Sequence, residues 1–440
     1  MIAVLAILGA CGNRERPLEG ERLEVRAFAS VGELAEGDEP LDATVEEAAA
    51  EIPEFEIPTE TANADWTQKG GNSAHFVLNP ALGGNLTQLW SANIGSGDSR
   101  KHRLSADPVV ADGRVFTLDS RSQVKAHSTA GAALWSADLT PGSERNADAS
   151  GGGLAFGDGR VYATTGFGSL VALDAATGAE LWVQDTDSAV AGPPTFADGL
   201  VYTVSRDNRA WALDAETGRI RWQLPGTPSP SGLIGGAAPV VTDRVAVFPL
   251  SSSELVAALK KSGVRVWASP ISGQRRGTAY TSVSDLSGDP VFTGDRVYAG
   301  TQSGRTVAVT ASGGQRLWTA EEGAYSPVVP AGNSVFLVTD QAELVRLDAE
   351  TGERVWGFEL PYFVKERPRR LKSVFAHYGP ILAGGRLIVV SDDGQLREFD
   401  PQDGTLLKST KLRSGAASNP VVAGGTLYLV TTNGQLHAFR

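Results

Sequence analysis

The sequence predicts an all-β fold, an eight-bladed β-propeller of four-stranded antiparallel blades, and three observations predict it. A unit of roughly forty to fifty residues recurs along the chain, the signature of a repeat architecture. Within each unit the apolar residues fall in short runs rich in Val, Leu, Tyr and Phe, separated by Asp-Gly or Thr-Gly, which is hairpin chemistry. The last unit lacks one strand, and a strand without a unit of its own lies ahead of the first.

The clearest copy runs from Val161 through Leu170, Asp174 and Gly178 to Trp182. Leu213-Asp214-Ala-Glu-Thr-Gly218 with Trp222 and Leu347-Asp348-Ala-Glu-Thr-Gly352 with Trp356 match it closely, while Trp135, Trp267 and Trp318 close more divergent copies. Units open at Pro108, Leu154, Pro194, Pro239, Pro290, Pro327, Pro380 and Pro420, which makes eight. Four short strands cannot bury their faces alone, and radial stacking of units solves that problem. In the repeated Asp-Ala-x-Thr-Gly-x-x-x-Trp segment, Asp, Thr and Gly suit a tight turn and Trp lays apolar surface between neighbours. The Trp stripe is thus expected to be scaffold and not a cofactor box.

The last unit supplies Pro420-Val-Val, Thr426 to Val430 and Gln435 to Phe439, one strand short of a blade. Leu86 to Ile94 carries the outer-strand pattern around Trp90 with no preceding strands, so it is expected to complete that blade and close the ring. The propeller is expected over residues 63–440.

The 440 residues carry a net charge of −12. Residues 12–62 hold 15 acidic against 4 basic side chains, so the acidity belongs to this segment and the propeller is near neutral. With Pro40, Pro53 and Pro58 and few aromatics, 12–62 is expected to be an acidic, mostly disordered linker. Glu46 to Glu51 has a short helical pattern, marginal by itself.

Residues 1–11 form an apolar run ending in Leu8-Gly9-Ala10-Cys11, which resembles the lipobox of bacterial lipoproteins and makes Cys11 the expected lipidation site. The run is too short to span a bilayer. It lacks the positive start of a signal peptide, which a start further upstream would supply. Cys11 is the sole cysteine, so no intramolecular disulfide and no cysteine metal cluster is expected. Several acyl chains on one residue would hold the protein stably on a membrane. Gly12 after the cysteine, by resemblance to other lipoproteins, implies the outer membrane facing the periplasm.

Catalytic templates are missing. The histidines His75, His102, His127, His377 and His437 have no metal spacing. There is no Gly-x-Ser-x-Gly elbow and no phosphate-binding loop. Nucleic acid is not an expected partner, and no cofactor is expected.

The lipobox, the linker, Asp65-Trp66-Thr-Gln-x-Gly70-Gly71-Asn72 and the eight blades together resemble the BamB family of outer-membrane protein assembly factors, over residues 63–440. The resemblance implies a non-enzymatic scaffold of the Bam complex that binds BamA and assists folding and insertion of β-barrel clients into the outer membrane. The blade motif by itself is shared with dehydrogenases that bind pyrroloquinoline quinone, so an enzyme of that kind, or a ligand-binding periplasmic propeller, remains the alternative. The paired cysteines of those enzymes are missing.

Function is expected on loops that depart from the repeat. One runs from Gly226 to Gly236 and contains Leu233 and Ile234; the next runs from Gly273 to Asp289 and contains Arg275, Arg276 and Asp285. In the BamB family the corresponding loops contact BamA through a Leu-x-Leu-Arg stretch and an Asp-x-Asp pair. Leu233 matches the second leucine and Asp285 the first aspartate, whereas Ser231, Ile234 and Ser287 depart from the pattern. Arg275 or Arg276 can replace the lost positive charge. A third departure, with Lys365, Arg367, Arg369, Arg370 and Lys372, is the densest basic stretch and suits an anionic lipid, an acidic partner or the acidic linker.

Overall fold

The computed structural model describes residues 52–148, 151–190, 192–229, 236–271, 273, 286–365, 367 and 372–440. Eight four-stranded antiparallel sheets are arranged in sequence order. Blades 1 to 7 span residues 109–138, 154–185, 195–225, 240–270, 291–320, 329–359 and 377–411. Blade 8 combines 421–439 with the strand Gln88–Asn93. That early strand pairs with Gln435–Phe439, Ser91 opposite His437, and so closes the ring as expected.

Burial along the strands follows position in the blade. Inner strands such as Val109–Ala111 are wholly buried. Outer strands such as Glu180–Asp185 alternate, because only one face meets the neighbouring blade.

The repeated motif locks each blade to the one before it. Asp174 Oδ1 accepts bonds from the Thr177 amide and hydroxyl at 2.8 and 2.7 Å, and Asp214 does the same with Thr217. Hydrogen bonds from Thr217, then from Arg221, hold the Asp214 carboxyl down at about 2. The glycine has two reasons to be glycine. Gly218 has φ 70°, and a Cβ there would lie 2.7 Å from the Trp182 ring of the preceding blade. That same indole donates to Ala215 O at 3.1 Å. Trp135, Trp267 and Trp318 repeat this contact with Ala175, Ala311 and Ala349. Blade 7 carries Lys408 where the others carry tryptophan.

A second ring runs inside the first. The inner strands leave unpaired edges facing the axis, and residues 63–80 travel around that axis pairing them one blade at a time. Asn63 bonds Val422 O at 2.6 Å in blade 8, and Trp66 exchanges two backbone bonds with Val110 in blade 1. Thr67 O accepts from Phe156 N, Gln68 Oε1 from Phe196 N, Ser73 O from Val241 N and Ala74 O from Phe292 N. Pro80 O accepts from Gly384 N in blade 7. In blade 6 the equivalent position is Pro330, opposite Val335, which has no N–H to donate. The Asp65 to Asn72 motif is therefore the start of a plug at the face where first strands turn into second strands.

The compact unit begins at Ile52, ahead of the expected propeller start at residue 63. Residues 52–62 pack on blades 6 and 7, because Phe55 gives the acidic run an apolar anchor. Phe55 is buried, meets the Phe336 ring edge-on at 5.1 Å, and receives the Arg346 guanidinium over its own ring. Its amide donates to Gln402 at 2.6 Å. The linker residues 12–51, including the helical pattern at 46–51, and the anchor segment 1–11 lie outside the described residues.

The double constraint on the motif glycine gives a test. Gly218→Ala is expected to lower stability by about 2–3 kcal/mol, from left-handed strain plus the clash with Trp182. Gly199→Ala, at φ 73° with nothing within 4 Å of its Cβ, is expected to cost about 1 kcal/mol. Urea unfolding midpoints of the two variants should separate accordingly; equal midpoints would exclude the blade-to-blade role of the glycine.

Candidate partner-binding face and axial hub

The loops between blades all leave the face opposite the start of the plug, since each joins an outer strand to the next inner strand. The described roots of all three departures from the repeat lie there. Leu233, Ile234, Arg275, Arg276 and Asp285 lie outside the described residues, as do Arg369, Arg370 and Cys11.

The bases of the two candidate loops are described, and both are tied down. Gly226 N donates to Asn208 O at 2.7 Å, and the Thr227 hydroxyl donates to Glu254 at 3.1 Å. Ile271 and Leu286 are buried at the two ends of the second loop. Ser287 Oγ donates to Ala324 O at 3.0 Å, which joins that loop to the blade 5–6 connection. The Ser287 hydroxyl thereby pins the second root of this loop.

The basic stretch belongs to an arm between blades 6 and 7. Phe363 and Val374 form a bridge, Val364 N donates to Ser373 O at 2.9 Å, and Phe375 N donates to Tyr362 O at 2.9 Å. Lys365, Arg367 and Lys372 are exposed on it, beyond an apolar base.

Beneath this face lies a polar hub that motif reading did not reveal. Lys69, carried inward by the plug, places its ammonium 2.8 Å from Asp107 and 3.5 Å from Asp289. Asp107 precedes blade 1 and Asp289 precedes blade 5, so one lysine links opposite sides of the ring. Asp289 also accepts from Ala238 N at 2.7 Å. Asn419 donates to Asp107 and accepts from Ser326 Oγ and Gly379 N, both at 2.9 Å. Burial by itself would lower the Lys69 pKa, but the two carboxylates together hold it above its ordinary value. The lysine is charged throughout the neutral range, and this stabilisation is lost only as pH rises past the ordinary lysine value.

His75 completes the hub. Its ring nitrogens lie 2.8 Å from Pro290 O and 3.4 Å from Thr195 Oγ1. Burial pushes its pKa below 6.5, more strongly than Asp289 raises it. The other histidines are also built into packing, His102 against Ala147 O at 2.9 Å and His377 between Ser391 and Pro361. The arrangement offers structural cross-links, with one lysine shared between two axial carboxylates.

Two results are expected from the hub. Lys69→Met strands two buried carboxylates and should cost about 3–5 kcal/mol in unfolding free energy. The triple variant Lys69→Met, Asp107→Asn, Asp289→Asn should recover part of that loss, and equal stability of the two would refute a buried charge penalty. For His75 the unfolded chain takes up the proton first, so the stability it contributes above about pH 6.5 falls as pH drops below that value. Thermal melting from about pH 7.5 to 5.5 should show a shallower slope for His75→Gln than for the parent.

The outer membrane protein assembly factor BamB family model matches residues 120–358 and 368–440. The assembly factor BamB of Escherichia coli K12 is 29% identical over 332 residues, covering 74% of this chain and 82% of that one. BamB of Xanthomonas campestris is 35% identical over 281 residues, covering 62% and 68%. Among solved structures, BamB from Moraxella catarrhalis superposes with a TM-score of 0.67 at 19% identity, over 81% of this chain and all of that one. A europium-containing methanol dehydrogenase reaches the same TM-score at 14% identity, over 86% and 98%. Shape therefore does not separate scaffold from enzyme, and sequence does: the relatives are named as assembly factors, and the dehydrogenases share only the fold. The chain belongs to the BamB family of outer membrane protein assembly factors, a family of non-enzymatic scaffolds.

Proposed function

We propose that this protein is a lipid-anchored scaffold of the Bam complex, held on the outer membrane through Cys11 and facing the periplasm. There it binds BamA and helps present unfolded β-barrel proteins for insertion. The observation that carries the reading is the pair of adjacent, non-repeating loops on one face, each rooted in buried and hydrogen-bonded positions. A rooted loop loses less conformational entropy on binding than a free one. Leu233 and Ile234 would supply the apolar centre of the contact, with Arg275, Arg276 and Asp285 as its polar rim.

Lys365, Arg367 and Lys372 point the same face towards an anionic surface or an acidic partner. Outer strands offer a second element: each has an unpaired edge, and Leu134, Leu181, Ile220 and Leu317 are exposed along them. An extended client segment can add to such an edge through main-chain bonds. None of the helices among the described residues is long and apolar enough to cross a membrane, so anchoring in this reading rests on Cys11.

Two experiments test it. In a chain with its full signal, Cys11→Ser is expected to abolish palmitate labelling and release the protein from the membrane fraction; unchanged labelling would sink the anchor. Leu233→Asp and Asp285→Arg are each expected to weaken BamA binding by about 2 kcal/mol or more while leaving the melting temperature in place. Variants that melt and co-purify with BamA like the parent would place the interface elsewhere. A parent protein that brings down no BamA from solubilised membranes would end the BamA-binding reading.

A further inference from the structure

Beside Lys69, on the side of the ring made by blades 6, 7, 8 and 1, lies a cup. It opens on the face that carries the candidate loops, and its volume is about 560 Å³. Lys69, Asp107 and Asn419 form its floor, and Tyr325, Tyr362, Phe375 and Tyr378 contribute to its wall. Such a volume, with aromatic walls and a few convergent polar groups, is characteristic of binding cavities.

The charged groups of the lining are already engaged. Lys69 is shared by Asp107 and Asp289, Arg103 pairs with Asp98, and Asp340 accepts from Gly323 N. His377 is neutral at pH 7, because burial pushes its pKa down while its ring stays bonded to Ser391 Oγ at 2.6 Å and Pro361 O at 2.8 Å. Tyr325 is also neutral, its hydroxyl pushed up to about 12 by burial and then by Asp340 and Tyr362. A charged guest would lose hydration here without meeting an unengaged opposite charge. An aromatic guest meets rings at edge or face. The hydroxyls of Tyr325, Tyr362 and Tyr378 have no hydrogen-bonding partner among the described residues, so three phenols remain to meet a polar group on the guest.

The apolar surface continues past the mouth. Tyr325, 45% exposed, stands at one side, and the arm carries Phe363, Val364 and Val374 at 37, 43 and 50% exposure. We infer that the cup is a binding site for an uncharged aromatic ring, either of a small neutral molecule or of a side chain on an extended polypeptide whose flanks lie along the arm. This site is separate from the two candidate BamA loops, and its test involves no BamA.

The experiment titrates the full-length protein with four blocked probes and follows probe resonances by NMR. The probes are N-acetyl-phenylalanine amide, N-acetyl-leucine amide, N-acetyl-phenylalanine with a free carboxylate, and a blocked Gly-Gly-Phe-Gly-Gly peptide. Saturable binding of the aromatic amide at or below ~1 mM is expected, at least about tenfold tighter than the leucine amide and the carboxylate. Tyr325→Ala and Tyr362→Ala should each weaken it about tenfold at unchanged melting temperature, and Val264→Ala, exposed on a turn of blade 4, should not. Tighter binding of the peptide than of the amide would support a polypeptide guest; equal binding would support a free small molecule. Lack of saturable binding by the aromatic probes, equal binding of the leucine amide, or indifference to both tyrosine substitutions would overturn the inference.

Discussion

A sheet edge that faces inward cannot be left to water that has little room to enter, and eight such edges converge on the axis of this propeller. The structure depends on how they are paired. Residues 63–80 supply carbonyls, an amide side chain and backbone donors in the order in which the blades arrive. One short segment thereby satisfies backbone groups that would otherwise each carry a desolvation penalty. The exception is informative: blade 6 presents Pro330, whose missing N–H removes the need for a partner.

The plug also determines what kind of interior the ring has. By carrying Lys69 to the axis it brings a cation between Asp107 and Asp289, and through Asn419 the contact extends to blades 6, 7 and 8. A buried ion pair is weak evidence for net stability, since desolvation offsets much of the attraction. Its geometric consequence is stronger. Charges on opposite blades must remain within reach of one ammonium, which opposes ovalisation of the ring and keeps the loops on the far face in register.

That far face gathers the features that are not needed for folding. The blade motif is spent on turns and on tryptophan contacts with the neighbouring blade, and its repetition follows from a repeated packing task. The connections before blades 4, 5 and 7 break the pattern, and their roots are nonetheless fastened at Gly226, Thr227, Ile271, Ser287 and the Tyr362–Phe375 pairing. A rigid ring holding irregular loops and an aromatic-walled cup on one side is an architecture suited to presenting surfaces to partners. The dehydrogenases of similar shape show that the ring itself is indifferent to use.

Blade number, strand type, the turn motif and the strand that closes the ring were legible in the sequence, because each is encoded over a few neighbouring residues. Alternation at period two marks a strand, Thr-Gly marks a turn, and a recurring Trp marks the outer strand. The resemblance in Asp65 to Asn72 was also legible as a motif, but its task was not. With its neighbours in residues 63–80 it finds partners in seven blades, spread from Val110 to Val422, and nothing local to either side announces the pairing. The same holds for Lys69, Asp107, Asp289 and Asn419, which look like ordinary loop residues until the ring brings them together. Phe55 was hidden for a related reason: an acidic, proline-bearing context reads as linker, while burial against Phe336 and Arg346 depends on a surface that exists only after folding. Local chemistry determined the parts and their order. Tertiary structure alone decided which unpaired edges, charges and rings would share the axis, since those contacts join residues whose separation along the chain carries no signal.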